Sequence, residues 1–144
     1  MQRQIGKYLI DKKLGNGQFG DVYLALDTEE SNKPYAMKVI QKQKVEVSPL
    51  LTRLFESEVS VMKSLKHPNL LHLYDLLETS NNYYMVTQYC DGGDLEQYVN
   101  KMKHLPIPEA IFFLKQILCG FVELHSQKIM HRDFKLANVF IHQG

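Results

Sequence analysis

Asp133, Lys135 and Asn138 crowd into one short stretch, His131-Arg132-Asp133-Phe134-Lys135-Leu136-Ala137-Asn138-Val139-Phe140, lying between apolar segments. Polar density of that kind points to chemistry rather than to packing. A second feature is Gly15-Asn16-Gly17-Gln18-Phe19-Gly20, followed by Val22. Glycines there remove the side chains that would keep backbone amides away from phosphate oxygens. The same G-x-G-x-x-G spacing serves dinucleotide folds, but there it opens a helix, whereas Asp21 to Leu26 read as a strand. Taken alone, the motif also fits a glycine-rich hairpin without a ligand. Third, Ala36-Met37-Lys38-Val39-Ile40 sets one lysine in an otherwise apolar strand, which requires a counter-charge or an anionic ligand. Glu58 is the natural counter-charge, because Phe55, Val59, Met62 and Leu65 form an apolar helical stripe along which it lies. Simple exposure at the boundary of that stripe fits Glu58 equally well.

The elements that must position these residues follow from periodicity. Tyr8 to Leu14, Val22 to Leu26 and Tyr35 to Ile40 are short apolar runs separated by turn-rich segments, which predicts an antiparallel meander. Ser48-Pro49 predicts the start of a helix running to about Leu65, since serine caps free amides and proline is tolerated in the first turn. Leu70 to Leu77 and Tyr83 to Tyr89 flank Thr79-Ser80-Asn81-Asn82 and predict a second hairpin, giving five strands and one helix. Beyond Asp91-Gly92-Gly93-Asp94 the chain turns helical. Asp94 is placed to cap a short helix with Leu95, Tyr98, Val99 and Met102, and a long helix is predicted over Glu109 to His125. Its apolar residues cover more than one face, so it requires burial on several sides.

Composition narrows the class. The 144 residues are 44% hydrophobic and 23% charged, with 8 Gly and 5 Pro, which suits a globular domain and not a disordered or collagen-like chain. Seventeen Lys and Arg against 16 Asp and Glu give a net charge of +1, too balanced to imply a nucleic-acid partner. No run is long and apolar enough for a transmembrane segment, and the start Met1-Gln2-Arg3-Gln4 carries no apolar signal region, so a cytoplasmic protein is expected. Cys90 and Cys119 lack metal-site spacing and are expected as reduced, buried thiols.

The stretch from His131 to Asn138 resembles the catalytic loop H-R-D-L-x-x-x-N of the eukaryotic protein kinases, with Phe134 in place of leucine. The glycine loop, strand lysine and helix glutamate occur in that family's order. The resemblance implies an α+β fold of the protein kinase type: a five-stranded antiparallel small lobe with one helix over residues 1–89, then a hinge and the start of a helical large lobe over 90–144. It also implies ATP and Mg2+ as cofactors and a protein Ser/Thr hydroxyl as phosphoryl acceptor.

By the same resemblance, Gly15, Gly17 and Gly20 cover the ATP phosphates, and Lys38, paired with Glu58, reaches the alpha and beta phosphates. Asp133 is implied as the catalytic base, Lys135 as a support for the transferring phosphoryl group and Asn138 as a magnesium ligand. Leu14, Val22, Ala36 and Phe140 are implied around the nucleotide, with Thr87 at the back of its pocket and Gln88, Tyr89 and Cys90 as the hinge. His131 is expected to be a satisfied core histidine, like the other histidines. Lys135 resembles the serine/threonine branch. Arg132 resembles the buried arginine of kinases switched on by activation-loop phosphorylation. The segment Cys90-Asp91-Gly92-Gly93-Asp94-Leu95 and the style of the catalytic loop look most like autophagy-initiating and calcium/calmodulin-group kinases.

The family pattern continues past the asparagine to D-F-G and A-P-E, which the sequence through Gly144 does not contain. The 144 residues are therefore expected to be a truncated kinase domain, inactive or weakly active alone, with an exposed apolar helix at 109–125 that calls for the remaining large lobe or a partner. The alternative is a catalytically inactive remnant acting as a nucleotide-binding or protein-interaction module.

Overall fold

A computed structural model describes residues 3–16 and 20–143. They divide into two units, one reaching to Lys66 and including Leu71–Tyr89, the other formed by His67–Leu70 and the chain from Cys90 onward.

The first unit is an antiparallel sheet of six strands in the order β1-β2-β3-β4-β6-β5. They are β1 (Arg3–Ile5), β2 (Tyr8–Asn16), β3 (Asp21–Asp27), β4 (Lys33–Gln41), β5 (Leu73–Glu78) and β6 (Asn82–Gln88). The sequence predicts five. The sixth, β1, holds a single apolar residue, Ile5, too little for an alternating pattern, and it folds back on β2 through Gly6, whose φ of +57° suits glycine. A short helix α1 (Lys42–Val45), also absent from the sequence expectation, leads to α2 (Pro49–Ser64). Ser48 caps α2 as expected, its hydroxyl accepting from the Leu51 amide at 3.2 Å with Pro49 in the first turn.

Strand pleating separates two cores. Tyr8, Ala25, Tyr35, Met37, Tyr84 and Val86 fill one face of the sheet. On the other face Ile40, Leu73 and Met85 pack with Val45 and with Val59 of α2, flanked by Phe55 and Met62. Burial of these side chains, at about 25 cal/mol per Å² of apolar surface, is the main force holding α2 to the sheet.

The turn between β3 and β4 is organised by Asp27, which is fully buried. Its Oδ1 accepts from the Glu29 amide at 2.9 Å, its backbone oxygen accepts from Asn32 at 2.9 Å, and Lys7 Nζ lies 2.8 Å from Oδ2. A buried carboxylate is tolerable only with such partners.

In the second unit, Asp94 caps α3 (Leu95–Met102) by accepting from the Gln97 amide at 2.8 Å. The long helix α4 (Ile107–Ser126) starts two residues earlier than the sequence suggests. Tyr98 of α3 donates to Glu109 of α4 and meets Phe113 edge to face, with ring centroids 5.7 Å apart. The segment His67–Leu70 lies against α4 at Gly120, where a Cβ would come 3.0 Å from the Asn69 carbonyl oxygen. Only Gly120 and Leu124 of α4 are buried, while Ile107, Ile111, Phe112, Leu114, Leu118 and Val122 are exposed. The burial that its apolar character requires is not supplied among the described residues. No helix among them is long and apolar enough to cross a membrane.

Candidate active site

Register places the nucleotide-side candidates of the first unit on one sheet face. Val22 of β3 lies opposite Lys38 of β4, and Lys38 opposite Met85 of β6. One pleat along, Ala36 faces Thr87. Directly opposed residues of antiparallel strands share a face, so Val22, Ala36, Lys38 and Thr87 stand together on the side that also carries Met85. All four are half-buried. Gln88 and Tyr89 follow at the end of β6, also half-buried, and Leu14 is exposed near the end of β2.

The glycines differ in what they require. Gly15 pairs with Val22 across β2 and β3, and nothing within 4 Å would meet a Cβ there. At Gly20, by contrast, a Cβ would fall 1.5 Å from the Val39 carbonyl oxygen, so strand packing itself excludes any side chain. Gly17 lies outside the described residues.

Lys38 and Glu58 are not brought together. Glu58 is exposed, and no carboxylate among the described residues forms an ion pair with Lys38. At about 100° per helical residue, Glu58 lies at the edge of the stripe formed by Phe55, Val59 and Met62, and at that edge its side chain is exposed. The boundary position that the sequence left open for Glu58 is the one it occupies here.

In the second unit the loop after α4 gathers its polar groups around one carboxylate. Asn138 Nδ2 donates to the Asp133 backbone oxygen at 2.8 Å and to Asp133 Oδ2 at 3.3 Å, while Lys135 Nζ lies 3.8 Å from that same Oδ2. A turn of 3-10 helix over Leu136–Asn138 brings the asparagine back. The Asp133 carboxylate remains open to solvent, with 74% of its side-chain surface exposed. Such an arrangement can orient a hydroxyl, accept its proton and hold an anion near the ammonium.

His131 is exposed, not the core histidine expected, because the aromatic surroundings of the loop cover only part of its ring. It still acts locally: its Nδ1 accepts the Asp133 amide at 3.2 Å, and its ring forms a triangle with those of Phe121 and Phe134, at centroid distances of 6.1 and 6.2 Å. Phe121 and Phe134 themselves meet edge to face at 5.0 Å. Arg132 is likewise exposed rather than buried, with φ of +71°. A non-glycine residue held in that region costs about 1–3 kcal/mol, and such strain clusters at functional sites. The chain leaves the loop through paired backbone bonds, Leu95 N to Val139 O, Ile141 N to Gly93 O and Gly92 N to Ile141 O, each 2.8 Å. These fix Phe140, which bridges to Asp94 and is half exposed.

Both thiols are free, but Cys119 is exposed, since it lies on the uncovered part of α4, and Cys90 is half-buried. Burial, and then the negative charge of Asp91, push the Cys90 thiol up, which keeps it protonated and weakly nucleophilic. Phe121 enters the sequence expectation only as part of the exposed apolar helix at 109–125, whereas it is half-buried. Its one available signal was Phe134, an aromatic where the motif has leucine, implying a neighbour able to receive a ring.

Residues 8–144 match the protein kinase domain family, and the chain belongs to it. It is 34% identical over 142 residues to the hormonally up-regulated neu tumor-associated kinase homolog A of Xenopus laevis, covering 99% of this chain and 20% of that protein. It is 34% identical to the serine/threonine-protein kinase atg1 of Dictyostelium discoideum and 37% identical to the SNF1-like protein kinase ssp2 of Schizosaccharomyces pombe. These alignments take in 96% and 97% of this chain, and 21% and 24% of those proteins. The chain thus spans between a fifth and a quarter of the length of these curated relatives.

Proposed function

We propose that this chain carries the nucleotide-binding and catalytic-loop part of an ATP-dependent serine/threonine protein kinase. The observation that carries the reading is the convergence of Lys135 and Asn138 on the exposed Asp133 carboxylate. In this reading Asp133 orients the acceptor hydroxyl of a protein substrate and takes its proton, and Lys135 steadies the anionic phosphoryl group beside it. The serine/threonine assignment rests on Lys135 and on the likeness to the serine/threonine-protein kinase atg1.

The adenine and phosphate side of the reaction is assigned to Leu14, Gly15, Gly17, Gly20, Val22, Ala36, Lys38, Thr87 and the segment Gln88, Tyr89, Cys90, with Phe140 on the second unit. The free space at Gly15 supports this, because its glycine is not demanded by contacts within the described chain. Glu58 joins Lys38 only if α2 turns its exposed carboxylate inward. Asn138 fits magnesium in part: its Nδ2 is committed to Asp133, which leaves Oδ1 available as an oxygen ligand. Among the described residues no group of three or more His, Cys, Asp or Glu could hold a metal, so Asn138 is the one residue assigned to the ion in this reading. When bound, the ion neutralises phosphate charge.

Titration of MgATP into isotopically labelled chain, followed by NMR, tests the binding half of this reading. Saturable shifts of the Val22, Ala36 and Thr87 methyls are expected. Absence of saturable change, or change confined to the sheet face of Met37 and Tyr84, would contradict it.

A further inference from the structure

We propose that Phe121 is a positioning residue for Asp133, acting from α4 through the rings of Phe134 and His131. The significance of the role rests on the kinase reading; the geometry does not. Three rings, from Phe121, His131 and Phe134, make mutual contacts with centroids 5.0 to 6.2 Å apart, and two of the three pairs are steeply inclined. His131 and Phe134 flank Asp133 on both sides in sequence. Phe121 is the one member on a regular element, so it supplies the fixed point against which the loop is set.

The link from rings to carboxylate is a single hydrogen bond. The Asp133 amide donates to His131 Nδ1, which requires that nitrogen to be unprotonated and assigns the neutral imidazole proton to Nε2. Turning the His131 ring away breaks that bond and frees the peptide leading into Asp133. The adjacent Arg132 holds a φ of +71°, a strained value for a non-glycine residue that the loop's contacts must maintain. Asn138 and Lys135 engage Asp133 from the other side, through its backbone oxygen and carboxylate. They do not replace the amide bond. Leucine at Phe134 would keep apolar contact but lose the edge-to-face geometry with Phe121.

The test compares Phe121→Ala, Phe121→Tyr and Phe134→Leu in the chain, using two readouts independent of phosphoryl transfer: the 15N shifts of the His131 ring and hydrogen exchange of the Asp133 amide. Wild type is expected to show the Nε2–H form and a protected amide. Phe121→Ala should mix the two neutral ring forms and speed Asp133 exchange about threefold to tenfold, the range that an edge-to-face pair supplies. Phe121→Tyr should restore both. The α4 amides near Phe113 serve as the control for folding. Unchanged His131 shifts and Asp133 exchange in Phe121→Ala, with α4 intact, would overturn the proposal. General loss of α4 protection in Phe121→Ala shifts the decision to Phe134→Leu, whose unchanged His131 and Asp133 signals would equally overturn it. An absence of kinase activity would leave these readouts unaffected and would count against the kinase reading alone.

Discussion

Asn138 grips Asp133 twice through one nitrogen, at the backbone oxygen (2.8 Å) and at the carboxylate (3.3 Å). The two bonds close the loop on itself and hold the carboxylate in one orientation while leaving it open to solvent. Because Asn138 is exposed, Asn138→Ala should change unfolding stability by no more than about 1 kcal/mol. Phosphoryl transfer by the complete product of the gene should fall at least about a hundredfold, by the scale of positioned acid–base groups. Denaturant titration alongside a peptide phosphorylation assay separates the two effects.

Gly15, within β2, and Gly20, just before β3, should behave differently. Gly20→Ala forces a methyl group onto the Val39 carbonyl oxygen and is expected to destabilise the first unit by about 1–3 kcal/mol, as overpacking does. Gly15→Ala meets open space and should leave stability within about 0.5 kcal/mol. MgATP affinity should nevertheless weaken. Urea unfolding and nucleotide titration of both variants check the contrast.

Glu58 is exposed and unpaired with Lys38 in this structure. Glu58→Gln should therefore alter unfolding free energy by less than about 0.5 kcal/mol in the absence of nucleotide. A larger loss, measured by urea denaturation, would mean that the carboxylate is paired in solution.

Asp27 should impose an acid limb on stability. The Lys7 ammonium, first, and then the backbone amides of the turn hold its carboxyl below the usual carboxylate range, against the opposing effect of burial. A group lowered on folding contributes its full stabilisation above its unfolded pKa of about 3.9 and loses it as pH falls toward the folded value. Lys7 is raised chiefly by the same bond, so its share persists below its unfolded pKa of about 10.4 and is lost only in more alkaline solution. The urea midpoint should fall between about pH 5 and pH 2 in wild type. In Asp27→Asn that fall should be shallower, from a lower starting stability.

Much of this was legible in residue types. Ser48-Pro49 and Asp94 are local capping signals, readable because the hydrogen bond they make spans three residues. The face shared by Val22, Ala36, Lys38 and Thr87 follows from alternation within strands once the strands are paired. What escaped depends on contacts distant in sequence. Strand β1 exists because β2 accepts it, not because Arg3-Gln4-Ile5 has a pattern of its own. Whether Glu58 at the edge of its stripe meets Lys38 or solvent also depends on how α2 sits on the sheet, which the stripe alone does not decide. Likewise the ring contacts of Phe121 join α4 to a loop that begins after the helix has ended.

The measurement closest to the central claim is transfer of labelled phosphate from MgATP to a serine/threonine peptide by the complete product of the gene, wild type beside Asp133→Asn. The side chain of Asp133 is mostly exposed, so the substitution should leave the fold intact. Transfer by the wild type is expected, with a loss of at least about a hundredfold in kcat for the variant, the scale of a removed general base. Equal transfer by both proteins, or no transfer by a folded wild type that binds MgATP, would contradict it.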